Sequence, residues 1–355
     1  MPTLVPRPSK NVAIIGAGLA GIACARTLAQ AGHRVTLLEK SRGFGGRMAS
    51  RQTPFGEFDH GAQYFTVRDA RLRLAIDQTA SGLVKAWSAS TVRVLDTFGQ
   101  VAAAGLPARE PHWVAVPGMN ALARHWARPL VEAGRVHLQT RVVAIEPDAL
   151  NKRQWQLRTD STGSERDVPG VLAGFDAVLL AIPSPQAADL LPSGSRVAWR
   201  DALDAVRVAP CWTLMLAFPQ AVQPGLSHLG PQWNAARSTH HRIAWLARES
   251  SKPGRSPIER WTVQASAEWS REHLEDDDAR VQAKLLKAFS EVTGIRAEPT
   301  HAQVHRWRFA KTMAPLGRSF LWDASSGLGA CGDWCLGHRV EDAFVSGLEL
   351  ALATA

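Results

Sequence analysis

The chain has 355 residues, with 41 Lys and Arg against 32 Asp and Glu, a formal charge of +9. Apolar residues make up 45% and charged residues 21%, which excludes a disordered, collagen-like or low-complexity chain and suits two domains or one large one. Arginine carries the excess, 33 against 8 lysines, spread along the chain rather than clustered. That pattern favours a phosphate-bearing small molecule over a nucleic acid as partner. The four cysteines, Cys24, Cys211, Cys331 and Cys335, make neither a disulfide framework nor a zinc site, so a reducing compartment and no metal are expected. Residues 1–10 hold three prolines and no apolar stretch of a secretory signal. The longest weakly charged run, 12–25, is too short to span a bilayer. The reading is a soluble, cytoplasmic protein.

In chain order, residues 11–15 form a buried strand without polar alternation, 19–31 a helix stopped by Gly32, and 34–39 a second strand. This βαβ opening is the unit of a parallel sheet. Further strands are expected at 141–145, 154–158 and 175–182. A better-alternating set follows at 211–218, 242–246, 260–265 and 304–309, as in an antiparallel sheet. Helices are expected at 119–132, 269–274, 277–292 and 341–352. The acidic run Glu272, Glu275, Asp276, Asp277 and Asp278 favours the start of the third of these. The fold class is α/β: a nucleotide-binding domain (1–70, 110–182 and 312–355) interrupted by an antiparallel-sheet substrate domain (71–109 and 183–311). The last strand and helix return to the first sheet.

Three motifs carry chemistry. Gly16-Ala17-Gly18-Leu19-Ala20-Gly21 follows a strand and opens a helix, the context a dinucleotide fingerprint requires. Gly16 permits the tight turn, Gly18 lets a pyrophosphate approach the backbone, and Gly21 lets the helix pack on the strand. Glu39 ends the second strand, eighteen residues after Gly21, where a carboxylate accepts from ribose hydroxyls; its charge disfavours a 2′-phosphate. The second motif runs from Lys40 to Met48 and contains Gly45-Gly46-Arg47. Such a loop resembles that of the large flavoprotein superfamily that includes the amine oxidases, which implies FAD, with Arg47 at the pyrophosphate or beside the flavin. The third is Gly332-Asp333 before the last helix. In FAD proteins of this type such an Asp accepts from ribityl hydroxyls, and the helix N-terminus faces the flavin.

Asp59-His60-Gly61-Ala62-Gln63-Tyr64-Phe65-Thr66-Val67-Arg68-Asp69 resembles the bacterial renalase-like branch of that superfamily. So do Pro117-Gly118-Met119-Asn120, Trp245-Leu246-Ala247-Arg248, Ser251-Lys252-Pro253-Gly254-Arg255, His305-Arg306-Trp307, Gly332-Asp333-Trp334-Cys335-Leu336 and Arg339-Val340-Glu341. The resemblance covers nearly the whole chain. It implies a Rossmann-type FAD domain with a glutathione-reductase-like extension, interrupted by a substrate domain like that of amine oxidases and p-hydroxybenzoate hydroxylase. It also implies non-covalent FAD and oxidation of 2- or 6-dihydro isomers of NAD(P)H to NAD(P)+, with O2 reduced to H2O2. The cofactor contacts it implies are Leu19, Glu39, Lys40, Arg47, Gln63, Tyr64, Val142, Asp333 and Val340, beside Gly16, Gly18, Gly21, Gly46 and Gly332 from the motifs. The implied substrate contacts are Tyr64, Phe65, Thr66, Val67 and Arg68, the 106–108 loop, Cys211 and Arg339. Two departures bear on the substrate. Cys211 replaces a usual Thr and removes a good donor, and His338 adds bulk beside Arg339.

Hydride transfer from a dihydropyridine needs orientation and a dry pocket rather than a protein acid or base, so no catalytic side chain is expected. Thirteen tryptophans and one tyrosine are unusual, and Trp212, Trp245, Trp307 and Trp334 are candidates to stack on a ring, Trp245 being taken into the substrate set. Arg68 and Arg339 are candidates for substrate phosphates. His60 is read as a structural histidine, and Cys331 and Cys335 as core thiols. The alternatives are a flavin-containing amine oxidase, which the single tyrosine and basic charge disfavour, and a flavin redox sensor without turnover. A desaturase would need a membrane-facing apolar segment, and none is evident.

Overall fold

A computed structural model describes residues 8–87, 92–103, 110–162, 170–192, 197–222 and 233–355. The chain divides into two compact units. The first comprises 1–46, 123–207 and 314–355, and the second comprises 47–122 and 208–313.

The first unit is built on a six-stranded sheet in the order Leu321–Asp323, Leu328–Ala330, Ala177–Leu180, Asn11–Ile15, Arg34–Leu38, Val136–His137. Every neighbouring pair is parallel except the antiparallel edge strand Leu321–Asp323. The strand Asn11–Ile15 sits centrally, so the strand order reverses around its carboxyl end, where open α/β sheets leave a crevice. Helix Leu19–Gln30 follows it directly and buries Ile22, Cys24 and Leu28. It meets the C-terminal helix Val340–Thr354 so closely that a Cβ on Gly347 would fall 2.0 Å from the Ala20 carbonyl oxygen. The strand Leu328–Ala330 and this last helix return to the first sheet, as the sequence predicts. The apolar run 175–182 is not one strand. One strand ends at Phe175 and the next starts at Ala177. Asp176 marks the break, its carboxylate accepting from the Asn11 amide at 2.7 Å and from Gln154 Nε2 at 2.9 Å.

The second unit holds a seven-stranded sheet in the order His301–Ala314, Arg207–Phe218, Glu259–Ala265, Ile243–Arg248, Ala235–Ser238, Arg93–Leu95, Val101–Ala103. Its two faces follow from alternation. Trp212, Leu214, Leu216 and Phe218 join Trp261 and Val263 on one face and pack with Val281, Leu285 and Phe289 of helix Asp278–Thr293. That helix starts where the acidic run predicts: the Asp277 side chain accepts from the Arg280 amide, and Gly294, at φ +74°, stops it. The other face carries Cys211, Thr213, Met215 and Ala217, with Thr262 and Gln264 opposite and Trp245 beyond. Three elements absent from the sequence reading also belong here. They are the hairpin Ser50–Thr53/Gly56–Asp59, the helix Ala70–Thr79 and the paired strands Val84–Trp87 and His112–Ala115. Residues 47–70 and 110–122 therefore lie in the second unit rather than with the nucleotide-binding half, and 183–207 lie in the first.

Residues 47–70 are held in the second unit by the apolar packing of Phe58 on Met215 and Ala217 and by a buried charge network. Asp59, at the hairpin end, is fully buried and accepts from Lys252 Nζ at 3.0 Å and an Arg255 guanidinium nitrogen at 2.6 Å. Lys252 also pairs with buried Glu249 at 2.9 Å, and Arg255 with Glu57 at 3.3 Å. Arg260, itself buried, donates to the Glu57 carbonyl. Burial alone would raise the Asp59 carboxyl, but Lys252 and Arg255, helped by the Met119 amide and Ser50 hydroxyl, hold it below the usual carboxylate range. Burial raises Glu249 instead, and Lys252 offsets only part of that.

Asp59→Asn leaves two buried cations short of a partner and is expected to cost about 3–5 kcal/mol in chemical denaturation at pH 7. A carboxyl lowered by folding contributes its stability above the unfolded value, about 3.9, and loses it as pH falls through the folded value. The gap between wild type and Asp59→Asn should therefore shrink as pH drops below about 4.

Candidate active site

In the first unit the turn after Asn11–Ile15 is built for backbone proximity. Gly16 has φ +106°, and a Cβ there would fall 2.5 Å from the Ala181 carbonyl oxygen. A Cβ on Gly21 would fall 1.9 Å from the Gly16 carbonyl oxygen. Gly18 is different. A Cβ there meets nothing within 4 Å, and as N-cap of helix Leu19–Gln30 it supplies no side-chain cap. The helix thus presents unsatisfied N–H groups and its positive dipole end beside open space. The Gly45–Gly46 turn lies against it. The Gly45 amide donates to the Ala17 carbonyl at 2.9 Å, and Gly46, at φ +52°, would place a Cβ 3.3 Å from Gly18 Cα.

Glu39 is buried at the end of Arg34–Leu38, and its two carboxylate oxygens accept from the Ala17 and Ser41 amides, each at 2.8 Å. Each oxygen keeps a lone pair for a further donor. Leu19 and Val142 are buried and Lys40 is exposed. Asp333 is a second buried carboxylate, in the turn Asp333–Cys335 after Leu328–Ala330. Gly332 before it is pinned on two sides. Its amide donates to Ser346 Oγ at 2.9 Å, and a Cβ would strike Trp334 Nε1 at 2.4 Å. Trp334 is buried and donates to the Ile182 carbonyl at 3.0 Å, so it is a structural tryptophan. Val340 begins the last helix, with exposed Arg339 as its N-cap, the Arg339 amide donating to Asp342 Oδ2 at 2.8 Å. A helix start without a side-chain cap, with the buried Glu39 carboxylate at the turn before it, suits a dinucleotide with phosphates at the helix and hydroxyls at Glu39, and Asp333 is a second buried carboxylate of the same unit.

In the second unit the segment 59–65 is tied down almost atom by atom. The Arg47 carbonyl accepts from the Ala62 amide at 2.8 Å, and a Cβ on Gly61 would come within 2.1 Å of that oxygen. Trp307 Nε1 donates to the His60 carbonyl at 2.8 Å, and Gln264 Nε2 to the Gly61 carbonyl at 2.7 Å. The Gln63 side chain is buried and turned inward, where Lys252 donates to its oxygen at 3.2 Å. Phe65 is buried and exchanges both backbone hydrogen bonds with Trp113 at 2.8 Å.

Tyr64 then stands in a cluster of rings. His112 stacks on it at 4.0 Å with 28° between planes, Trp245 is tilted at 5.7 Å, and Trp87 is tilted at 6.4 Å. Trp245 Nε1 is buried with no hydrogen-bond partner among the described residues. Thr66 and Val67 are half-buried. Arg68 is exposed and pairs with Glu110 at 2.5 Å. Cys211 lies on the same sheet face as Thr213, which pairs with Gln264, neighbour of Trp245. Burial pushes its thiol up to about 11, so it is neutral. The 106–108 loop lies outside the described residues.

The structure thus brings Gln63, Tyr64 and Trp245 together in the second unit and Gly16, Gly18, Gly46 and Glu39 together in the first. His112, Trp87, Gly61 and Lys252 are neighbours that sequence reasoning gave no role. His60, expected to be structural, has its Nδ1 buried with no hydrogen-bond partner among the described residues. It is buried, stacked on Trp307 at 5.2 Å, and pushed down to about 3 by burial together with His305 and Arg51. Cys331 and Cys335 are buried free thiols, raised by burial, Cys335 to about 12. Among the described residues no cluster of His, Cys, Asp and Glu could hold a metal, and no helix is long and apolar enough to cross a membrane.

The glycines separate two failures. Gly18→Ala has space and an unstrained backbone, at φ −71°, so the chain should fold with an unchanged thermal midpoint. Its FAD affinity, read by flavin fluorescence on titration, should fall about tenfold or more, the equivalent of about 1.4 kcal/mol. Gly21→Ala collides with backbone and should fail to give folded protein.

Comparison with known proteins places this architecture. A model of NAD(P)-binding Rossmann-like domains matches residues 14–77, and the flavin containing amine oxidoreductase model matches 104–353. A protein from Exiguobacterium sp. 255-15 assigned as a protoporphyrinogen oxidase superposes with TM-score 0.77 at 15% identity, covering 98% of both chains. Cyclohexylamine oxidase from Brevibacterium oxydans IH-35A gives 0.69 at 14% identity, over 98% of this chain and 99% of that one. Among curated relatives, a protein assigned as L-amino-acid oxidase, YobN of Bacillus subtilis (strain 168), is 48% identical over 48 residues. That match spans 14% of this chain and 10% of that protein. With the family model covering most of its length, the chain belongs to the flavin containing amine oxidoreductases, and its cofactor is FAD.

Proposed function

We propose that this protein is a renalase-like oxidase that takes a hydride from 2- or 6-dihydro isomers of NAD(P)H and returns NAD(P)+, a repair of off-pathway dinucleotides. The observation that carries this reading is the ring cluster at Tyr64. A dihydronicotinamide is flat, and Tyr64, His112, Trp245 and Trp87 are flat side chains gathered at the segment that carries the sequence resemblance. The ring also carries a carboxamide, whose oxygen suits the unpartnered Trp245 N–H. The net charge of +9 draws the substrate's phosphates inward.

The FAD, when bound, supplies a two-electron acceptor that O2 regenerates with release of H2O2. The remaining work falls to this chain. Gly18 and the helix start hold phosphate, Glu39 and Asp333 accept from hydroxyls, and the ring cluster fixes the substrate plane and keeps water out. No side chain needs to move a proton in the hydride step, since the substrate loses one hydride and ends as the aromatic cation. Arg68 Nε is paired with Glu110, so a phosphate there would share its guanidinium with that carboxylate. Arg339, exposed at the last helix start, is the second candidate for that phosphate.

Amine oxidation is the second reading, favoured by the fold shared with cyclohexylamine oxidase. It asks a basic chain to attract a cation.

The test is anaerobic mixing of the holoenzyme with 2- and 6-dihydro-NAD(P), ordinary NADH and small amines, following flavin absorbance. Bleaching by a dihydro isomer alone is expected. Bleaching by an amine alone would overturn the proposal in favour of the second reading. Tyr64→Ala should raise the KM for the isomer about tenfold, the kinetic signature of lost ring binding.

A further inference from the structure

Lys252 has no role in hydride transfer, yet it is the most completely engaged side chain near the Tyr64 cluster. Its ammonium is buried and spends all three donors, on Asp59 Oδ2 at 3.0 Å, Glu249 Oε1 at 2.9 Å and Gln63 Oε1 at 3.2 Å. It also lies 5.4 Å from the ring centre of Trp87. An ammonium only donates, so the Gln63 atom facing it must be the oxygen. That fixes the flip of the amide and sends Gln63 Nε2 toward the Asp59 carbonyl and, at 3.1 Å, the Gly61 carbonyl. With Trp307 on the His60 carbonyl and Gln264 also on Gly61, three successive carbonyls before Tyr64 have fixed donors. Lys252 thus touches both flanks of Tyr64: the Gln63 side, through an amide whose oxygen it holds while the Asp59 and Gly61 carbonyls hold the nitrogen, and the Trp87 side, through the ring face. Trp87 is tethered to the same loop, its Nε1 donating to Ser251 Oγ at 3.0 Å.

We propose that Lys252 is a positioning residue that sets the geometry of the Tyr64 ring cluster, acting through the Gln63 amide and the Trp87 face. The inference rests on Tyr64 lining the substrate site. It separates Lys252 from Arg255, which shares Asp59 but reaches neither Gln63 nor Trp87 in any recorded contact. A purely structural ion pair predicts something different: once charge balance is restored, everything else is restored too.

The charge arithmetic supplies the test. Lys252→Met alone strands Glu249, whose Oε1 keeps only the Thr262 hydroxyl and whose Oε2 has no partner among the described residues. Lys252→Met with Glu249→Gln removes one charge of each sign, while Asp59 keeps Arg255. The double variant should recover the wild-type thermal midpoint to within a few degrees and stay yellow. Its near-UV circular dichroism, which reads the Tyr and Trp environment, should remain altered. Its KM for whichever reductant bleaches wild-type flavin should stay raised about tenfold, with kcat within about twofold. Gln63→Met should raise KM similarly, and adding it to the double variant should add little, since both act through one amide. Recovery of dichroism and KM along with stability, or full additivity with Gln63→Met, would overturn the proposal. If no dihydro isomer bleaches the wild type, the substrate reading fails, and the dichroism of the restabilised variant still decides the role of Lys252.

Discussion

The first unit depends on one constraint, the contact between the Gly16 carbonyl and Gly21. Helix Leu19–Gln30 lies so close to the strand before it that a single methyl group at Gly21 would sit 1.9 Å from that oxygen. This closeness turns the helix start toward the carboxyl edge of the central strand, where the strand order reverses. It leaves Gly18 as an N-terminus without a side-chain cap, and it lets Glu39 reach back to the Ala17 amide. The helix start and the Glu39 carboxylate therefore meet at the strand end because two backbone segments pack without a side chain between them.

The second unit solves a different problem. It must hold a seven-residue segment, 59–65, whose backbone polar groups are largely beyond the reach of regular sheet pairing. The donors to its carbonyls are the side chains of Gln63 within the segment and of two distant residues, Gln264 and Trp307, while Lys252 holds the Gln63 amide oxygen. Burying Asp59, Lys252, Glu249 and Arg255 carries a desolvation cost that apolar residues would avoid. What the apolar alternative cannot supply is orientation, because an amide flip and a carbonyl direction are specified only by donors and acceptors.

What the sequence shows and what it hides divide along contact range. Gly16, Gly18, Gly21 and Glu39 are readable because the chemistry they serve is local: strand, turn, helix, strand within thirty residues. Asp277 and Gly294 are readable for the same reason, as a cap and a stop. Lys252 is not. Its partner Asp59 lies 193 positions away, and in the sequence it is one basic residue in a Pro-Gly loop. His112 is hidden because only the pairing of Val84–Trp87 with His112–Ala115 sets it beside the Tyr64 segment. Arg68 shows how a contact can be hidden as well. Its type suits a phosphate, but the fold gives it Glu110. The 175–182 run misleads because eight apolar-rich residues look continuous while Asp176 bends the backbone within it, two residues after Gly174 at φ +81°. The helix Ala70–Thr79 was legible in retrospect: Asp69 caps it, and Leu72 and Ile76 bury one face.

The electron donor we propose is a dinucleotide ring rather than an amine. The most direct measurement is product stoichiometry in air, with the holoenzyme supplied with a 6-dihydro-NAD(P) isomer and, separately, with a primary amine. The account predicts one NAD(P)+ formed for each H2O2 with the isomer over many turnovers, and no peroxide from the amine. Aldehyde, ammonia and peroxide in equal amounts from the amine, with the isomer unchanged, would contradict it.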